Sequence, residues 1–334
     1  MTTLEKNKNP IIRLLNINTS GQVSGRNLPL WRQLVLQILC IAILASVMFP
    51  IMYILTLSFS SKTTRPSQLE LIPKEISFIA YQQVLDRPTA NPVTFLELLR
   101  NSFVLSMGVG LVALVVAVTA AYAFSRFKFK MREVMMVLVF IPLLMPAVGL
   151  STPLYLLLNQ VQIKSCSEGT VAVQPLTYCQ DGKGRLNFNL RDSLWGVGIA
   201  MTATALPFAV WNLKGYLDTI PKELEEAAAI DGADANQTFW KIVIPLAMPQ
   251  LAVTFFLGFI GHWQEFVLTW LFLSQPGDYT LAMTLYNMTG QYANSVPWNR
   301  FAAMAVIVAL PVAVVYIALQ RQIVGGLTSG SVKG

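Results

Sequence analysis

The chain has 334 residues, 54% of them hydrophobic and only 12% charged, with a mean hydropathy of +0.55. A soluble domain of this length carries roughly a quarter charged residues, so composition excludes one and asks for a polytopic membrane protein. The net charge of +7 does not point to nucleic acid: the basic residues are scattered over separate loops and form no stripe. Positive-inside topology and contact with anionic lipid account for them.

A polar, basic segment covers 1–33 and is followed by the first of six apolar runs, each about 20 residues or longer, enough to cross a bilayer core of about 30 Å. In chain order they are 34–58, 102–124, 134–158, 194–213, 246–273 and 301–319. The first carries no obvious small-residue cleavage site and reads as a retained helix rather than a signal peptide. Continuous apolar runs, not ten-residue alternations, exclude a transmembrane barrel. The expected fold class is therefore an all-α polytopic membrane protein with six transmembrane helices. Pro142, Pro146, Pro153 and Pro207 fall inside the spans, where kinks that help gating and simple packing adaptation are equal alternatives.

Lys and Arg set the orientation. With the N-terminus in the cytoplasm, the inside segments hold 14 Lys/Arg in 84 residues and the outside segments 10 in 106. The short run "SRFKFKMRE" at 125–133 carries Arg126, Lys128, Lys130 and Arg132 and places both termini in the cytoplasm. Of the outside segments, 59–101 contains "LIPKEISFIAYQQVLD", which reads as a short amphipathic helix on the membrane surface. The segment 159–193 carries Cys166 and Cys179; a disulfide between them and two free thiols are equal alternatives. The loop 274–300, rich in Tyr, Asn and Met, suits an adaptable contact surface or a lid packed on the membrane domain.

The chain holds no chemical engine. There is no phosphate-binding P-loop, since "DGKGR" at 181–185 lacks its frame, and no G-x-S-x-G elbow. A single histidine, His262, excludes HExxH zinc chemistry, and no metal site is expected. Two classes remain: an ion-coupled secondary transporter, and the membrane half of a pump whose ATPase is a separate polypeptide. Carriers usually hold several intramembrane ionisable groups, whereas one pair, His262 and Glu265, occurs here, three residues apart on one span. A structural bond of Glu265 to His262 or to a lysine is the leading reading. A polar translocation path through His262, Trp263, Gln264 and Glu265 is the other.

The stretch "EEAAAIDGADANQTFWKIVIPLAMP" at 225–249 decides between the classes. Pro221 suits a first helical turn, 222–230 is made of strong helix formers, and Gly232 can supply the positive φ that ends the helix. Asp234 or Asn236 can cap the next helix, which runs into the fifth span. Glu226-Ala227-Ala228, three residues, Gly232, nine residues, then Ile242-Val243-Ile244-Pro245 resembles the EAA loop, here 221–245, of ABC importer permeases; Ile244 stands where that pattern prefers Leu. The stretch 101–130, the element "WQEF" at 263–266 and the tail "LQRQIVGGLTSGSVKG" are similar to those of MalG-type carbohydrate importer permeases. The segment 164–192 is the least family-like and reads as an insertion.

That resemblance implies a type I ABC importer permease fold, with a transmembrane domain over 34–324 and a cytoplasmic tail over 325–334. It implies a second permease subunit, two ATPase subunits that bind ATP and Mg, and an extracytoplasmic sugar-binding protein. This chain would have no cofactor and no catalytic residues of its own. Glu226 would seat in an ATPase cleft, Ala227 and Ala228 would allow close approach, Gly232 the turn, and Ile242 and Pro245 the join to the span. Gly326, Leu327, Thr328 and Lys333 in the tail would reach the ATPases, and the loop 275–300 would touch the binding protein. The cargo would be an oligosaccharide of the maltose or maltodextrin kind, with trehalose, sucrose or a glycosylated polyol as alternatives.

Overall fold

The computed structural model describes residues 30–64, 72, 76–145, 147–160, 190, 192–290 and 296–329, with short strand segments at 170–173, 176–179 and 186–188. The chain divides into two units, Met1–Ile51 and Met52–Gly334.

Among the described residues five helices are long and apolar enough to cross a membrane, and a bent pair makes a sixth if it counts as one span. The first is α1, Leu30–Ser58. A short helix, α2 (Ile79–Asp86), precedes α3 (Phe95–Arg126), whose N-terminus is fixed by a reciprocal capping box between Thr94 and Glu97. The expected third span is the bent pair: α4 (Arg132–Leu144) and α5 (Ala147–Gln160) diverge by 108°. Pro142 lies in the last turn of α4. A proline there deprives the helix of a backbone donor and favours termination.

Between α5 and the next span the backbone forms a small three-stranded antiparallel sheet, β1 (Thr170–Val173), β2 (Leu176–Cys179) and β3 (Leu186–Phe188). It falls within 164–192, the segment least like the family in sequence, and holds the strands found among the described residues. Cys179 ends β2, while Cys166 lies outside the described residues.

The fourth crossing is α6 (Leu194–Leu217). After it come α7 (Glu223–Ile230) and α8 (Ala235–Thr238), a π-turn at Phe239–Val243, and α9 (Ile244–Trp263). The fifth crossing breaks at 264–266, earlier than the apolar run to 273 suggests, and resumes as α10 (Val267–Phe272). The loop that follows carries α11 (Leu281–Gly290), and α12 (Trp298–Ser329) is the last crossing.

Small side chains organise the packing. Ala113, Ala117 and Ala121 on α3 are buried, which lets neighbouring backbones approach as membrane helices require. One buried cluster joins α3 and α6 to the π-turn and α9 through Ala117, Leu213, Leu217, Val243 and Ala247. A second joins α2, α9, α11 and α12 around Phe259 and Trp263. Ala80 and Val84 of α2 are buried in that second cluster, while Ile79 and Leu85 on its other side stay exposed.

The 274–300 loop follows the lid alternative over its described part. Asn101 Nδ2 donates to the carbonyls of Gly277 (2.8 Å) and Tyr279 (3.2 Å), and the Leu281 N–H donates to Ser102 Oγ (2.7 Å). Leu281 and Met283 are buried.

Candidate coupling site

The α7–α8 hairpin takes its shape from three local signals. Three acidic residues, Glu223, Glu225 and Glu226, stand in the first turn of α7, where the helix dipole favours negative charge. At the other end the Gly232 N–H donates to Ala229 O (3.1 Å) and the Ala233 N–H to Ala228 O (2.9 Å), the two bonds of a Schellman motif. Gly232 sits at φ +86°, and nothing lies within 4 Å of where a Cβ would stand, so the turn needs glycine for its backbone and not for space. Asp234, rather than Asn236, caps α8, and its backbone N–H is in turn bonded by Gln237.

The π-turn has a cause in the sequence. Pro245 cannot donate a backbone hydrogen bond, and its ring crowds the carbonyl four residues earlier. The chain widens there, and the Ile244 N–H bonds to Phe239 O, five residues back. Phe239 and Val243 are buried, so this irregular turn is also well packed.

Helix α7 shows two faces. Glu225 and Ala228 point inward, whereas Glu226 and Ala227 are exposed, together with Glu223 and Ile230 at the i−3 and i+4 positions from Glu226. Ile230 is 86% exposed and Leu224 45%, an apolar surface around the acidic one. Neither Leu224 nor Ile230 is singled out by the EAA spacing, although helical periodicity places Ile230 beside Ala227. Ile242 is partly buried and Pro245 exposed.

The inward face is fastened by a polar network that the sequence did not reveal. Arg126 Nε meets Glu225 Oε1 at 2.5 Å, with the two side chains only 7% and 14% exposed. Arg126 also donates to Ile220 O (3.0 Å), and the Tyr122 hydroxyl donates to Glu225 Oε2 (3.0 Å). A second branch runs from Ser125 Oγ to Asp218 Oδ1 (2.6 Å) and from Lys214 Nζ to Asp218 Oδ2 (2.6 Å). Burial alone would raise the Asp218 carboxyl, but the bonds from Lys214 and Ser125 and the charges of Lys214 and Arg132 outweigh it and hold it below its usual range. The lower ends of α3 and α6 are thus tied to the start of α7. Arg126 was legible only as part of a basic run that sets topology; its partner lies 99 positions away.

The residues of the WQEF element do not act as one group. Among the described residues the Glu265 carboxylate bonds neither His262 nor a lysine; only the Glu265 backbone N–H reaches the His262 carbonyl (3.3 Å). The carboxylate accepts from the N–H groups of Leu268 (3.0 and 3.1 Å) and Thr269 (3.4 Å) and so caps α10. The i, i+3 relation expected of a continuous helix is lost because the helix ends at Trp263. Trp263 is buried, stacks on Phe259 (5.5 Å, 28°) and donates Nε1–H to Val308 O (3.2 Å), so it is a packing residue. Gln264 is exposed. In the tail, Gly326, Leu327 and Thr328 lie within α12, and Lys333 lies outside the described residues.

Residues 112–328 match the family model described as binding-protein-dependent transport system inner membrane component. The maltose/maltodextrin transport system permease protein MalG of Vibrio vulnificus (strain YJ016) is 33% identical over 301 residues, covering 88% of this chain and 93% of that protein. The galactooligosaccharides transport system permease protein GanQ of Bacillus subtilis (strain 168) is 30% identical over 289 residues, covering 86% and 91%. In fold, a chain of a bacterial ABC transporter involved in the import of the acidic polysaccharide alginate matches with a TM-score of 0.64 at 23% identity, covering 96% of this chain and 99% of that one. With its apolar crossings, its capped hairpin between the fourth and fifth of them, and these likenesses, the chain belongs to the family of binding-protein-dependent transport system inner membrane components.

Proposed function

We propose that this chain is the permease subunit of an ATP-driven importer that carries an oligosaccharide of the maltose or maltodextrin kind into the cytoplasm, with both of its termini on the cytoplasmic side. The observation that carries the reading is the two-faced α7. It turns Glu226, Ala227 and Ile230 outward as a small docking surface and binds its inner face to α3 through Glu225 and Arg126.

ATP and Mg belong to the docked ATPase subunits, whose closure would push on α7. The ends of α3 and α6 would follow, because ion pairs and a buried cluster hold them together. Such coupling is a shift between two global states, driven by the difference in affinity of nucleotide for each. A second permease subunit and an extracytoplasmic binding protein complete the assembly. Galacto-oligosaccharide is the second cargo reading, favoured by the likeness to GanQ.

The test reconstitutes the chain with its partner permease and ATPases in vesicles and follows ATP-dependent uptake of labelled maltotriose. Glu226→Lys and Gly232→Pro should leave the chain in the membrane while ATPase association and uptake each fall at least about tenfold, the equivalent of about 1.4 kcal/mol of coupling. Uptake by the wild-type chain on an ion gradient, with no ATPase present, would sink the reading.

A further inference from the structure

A row of aromatic rings joins the end of α3 to the π-turn ahead of α9. Phe127 sits edge-on to Tyr122 (6.0 Å, 89°), Tyr122 meets Phe239 (4.9 Å), and Phe239 meets Trp240 (5.1 Å). The middle of the row is covered, but its two ends are open: Phe127 is 55% and Trp240 64% exposed. Each open ring is followed directly by an exposed lysine, Lys128 after Phe127 and Lys241 after Trp240. Lys130 is exposed as well, and Phe129 between the two loop lysines rests on Phe124 (5.7 Å).

The cations at this end of the bundle fall into two groups. Arg126 is paired with Glu225, and Lys214 with Asp218. Lys128, Lys130 and Lys241 form no ion pair among the described residues, so they present surplus positive charge around the open rings. The neighbouring helix surfaces are apolar. Met135 and Leu138 on α4 and Leu246 and Met248 on α9 are all exposed, which continues the apolar surface from both ends of the row into the spans. An aromatic ring at the end of an apolar span, with an ammonium group beside it, suits the membrane–water boundary: the ring sits at headgroup level and the lysine stem lies along apolar surface with its charge in water. An ATPase face fits less well, because the α7 surface given to it is acidic, with Glu223 and Glu226 exposed.

We infer that this row is a docking surface for anionic phospholipid: Phe127 and Trp240 sit at headgroup depth, and Lys128, Lys130 and Lys241 meet the phosphate-bearing headgroups. Tyr122, in the middle of the row, donates to Glu225 (3.0 Å), so lipid held there steadies the fastener between α3 and α7. Each lysine near an anionic surface is worth roughly fivefold in affinity. The lipid contact is independent of the cargo; only its effect on uptake rests on the importer reading given above.

The test places the assembled importer in nanodiscs of phosphatidylcholine and then of phosphatidylcholine mixed with phosphatidylglycerol. The wild type should melt several degrees higher in the mixture, and the gain should vanish at about 1 M salt, where charges are screened within about 3 Å. Lys128→Gln, Lys130→Gln and Lys241→Gln combined should assemble normally, melt as the wild type does in pure phosphatidylcholine, and lose most of the gain. The corresponding Lys→Arg changes should keep it. An equal gain in the glutamine variant overturns the docking surface. So does a full gain from inorganic phosphate added to pure phosphatidylcholine discs, which would make the ligand a free anion. Loss of ATPase subunits from the glutamine variant in both lipids overturns it too and makes the row a protein contact. In vesicles, phosphatidylglycerol should raise the ratio of maltotriose uptake to ATP hydrolysis about fivefold for the wild type and leave the glutamine variant flat. A flat wild-type ratio beside a normal melting gain overturns the steadying of the fastener. No uptake in either lipid counts against the importer reading, and the melting gain still decides the docking surface.

Discussion

Two carboxylates, Glu225 at the start of α7 and Glu265 at the break after α9, meet the cost of burial by different means. Glu225 is paired with a guanidinium and a phenol that arrive from α3, about a hundred positions earlier in the chain. Glu265 is answered within four residues of itself, by the backbone N–H groups that open α10. A charged partner from another helix makes the first carboxylate a fastener between segments, whereas backbone dipoles make the second a local shape. The two stand at opposite ends of the hairpin-plus-span that runs from 223 to 266, so one end is built to transmit displacement and the other to hold a bend.

The largest expected effect comes from removing the fastener. Arg126→Ala leaves Glu225 poorly solvated without its cation, which should cost about 3 kcal/mol and depress uptake more than it depresses basal ATP hydrolysis by the assembled importer. Arg126→Lys should recover only part, because a point charge cannot reach Glu225 and the Ile220 carbonyl with the same fork. Thermal melting of the purified complex and the ratio of uptake to hydrolysis read both effects.

Next, Glu265→Ala should cost about 1–2 kcal/mol as a lost helix cap, and Glu265→Gln clearly less, since an amide oxygen still accepts. A glutamine as damaging as the alanine would mean that charge, not capping, matters at 265 and would erase the contrast with Glu225. Gly232→Ala should follow at about 1 kcal/mol for a left-handed backbone, measured as a lower melting temperature, with Gly232→Asn milder.

The smallest effect belongs to Asp218, whose ion pair with Lys214 is partly exposed. Its carboxyl is held below the usual range in the folded chain, so its contribution is complete above the ordinary carboxylate pKa and is lost as pH falls through the depressed folded value. Acidification from neutral pH to about 3 should therefore lower the melting temperature of the wild type more than that of Asp218→Asn. Equal slopes would show that the second branch of the network contributes nothing.

Much of the coupling end was legible because its signals are local. The helix formers before Ile230, the glycine at 232 and the cap at Asp234 each act within four residues, and a spacing pattern can carry them. The strut from Arg126 to Glu225 was not legible, because the charge run 126–132 satisfies a topological rule whether or not it has partners. The spans were legible from hydropathy, but their interruptions were less so. Prolines at 142 and 153 marked the third span as irregular without giving its angle, and Glu265 looked like a partner for His262 only as long as the helix was assumed to continue. A helix break converts i, i+3 neighbours into strangers, and apolar residues on both sides of it conceal the break.

The π-turn at Phe239–Val243 amounts to one surplus residue in an otherwise regular coil. Each residue of an α-helix advances the spiral by about 100°, so this single surplus fixes the angular phase between the α8 end of the hairpin and every side chain of α9. It works as a vernier: removing one residue inside 239–243 would let an ordinary coil close with both flanks still aligned, while removing one at Leu251 would swing Thr254 away from Asn212 on α6.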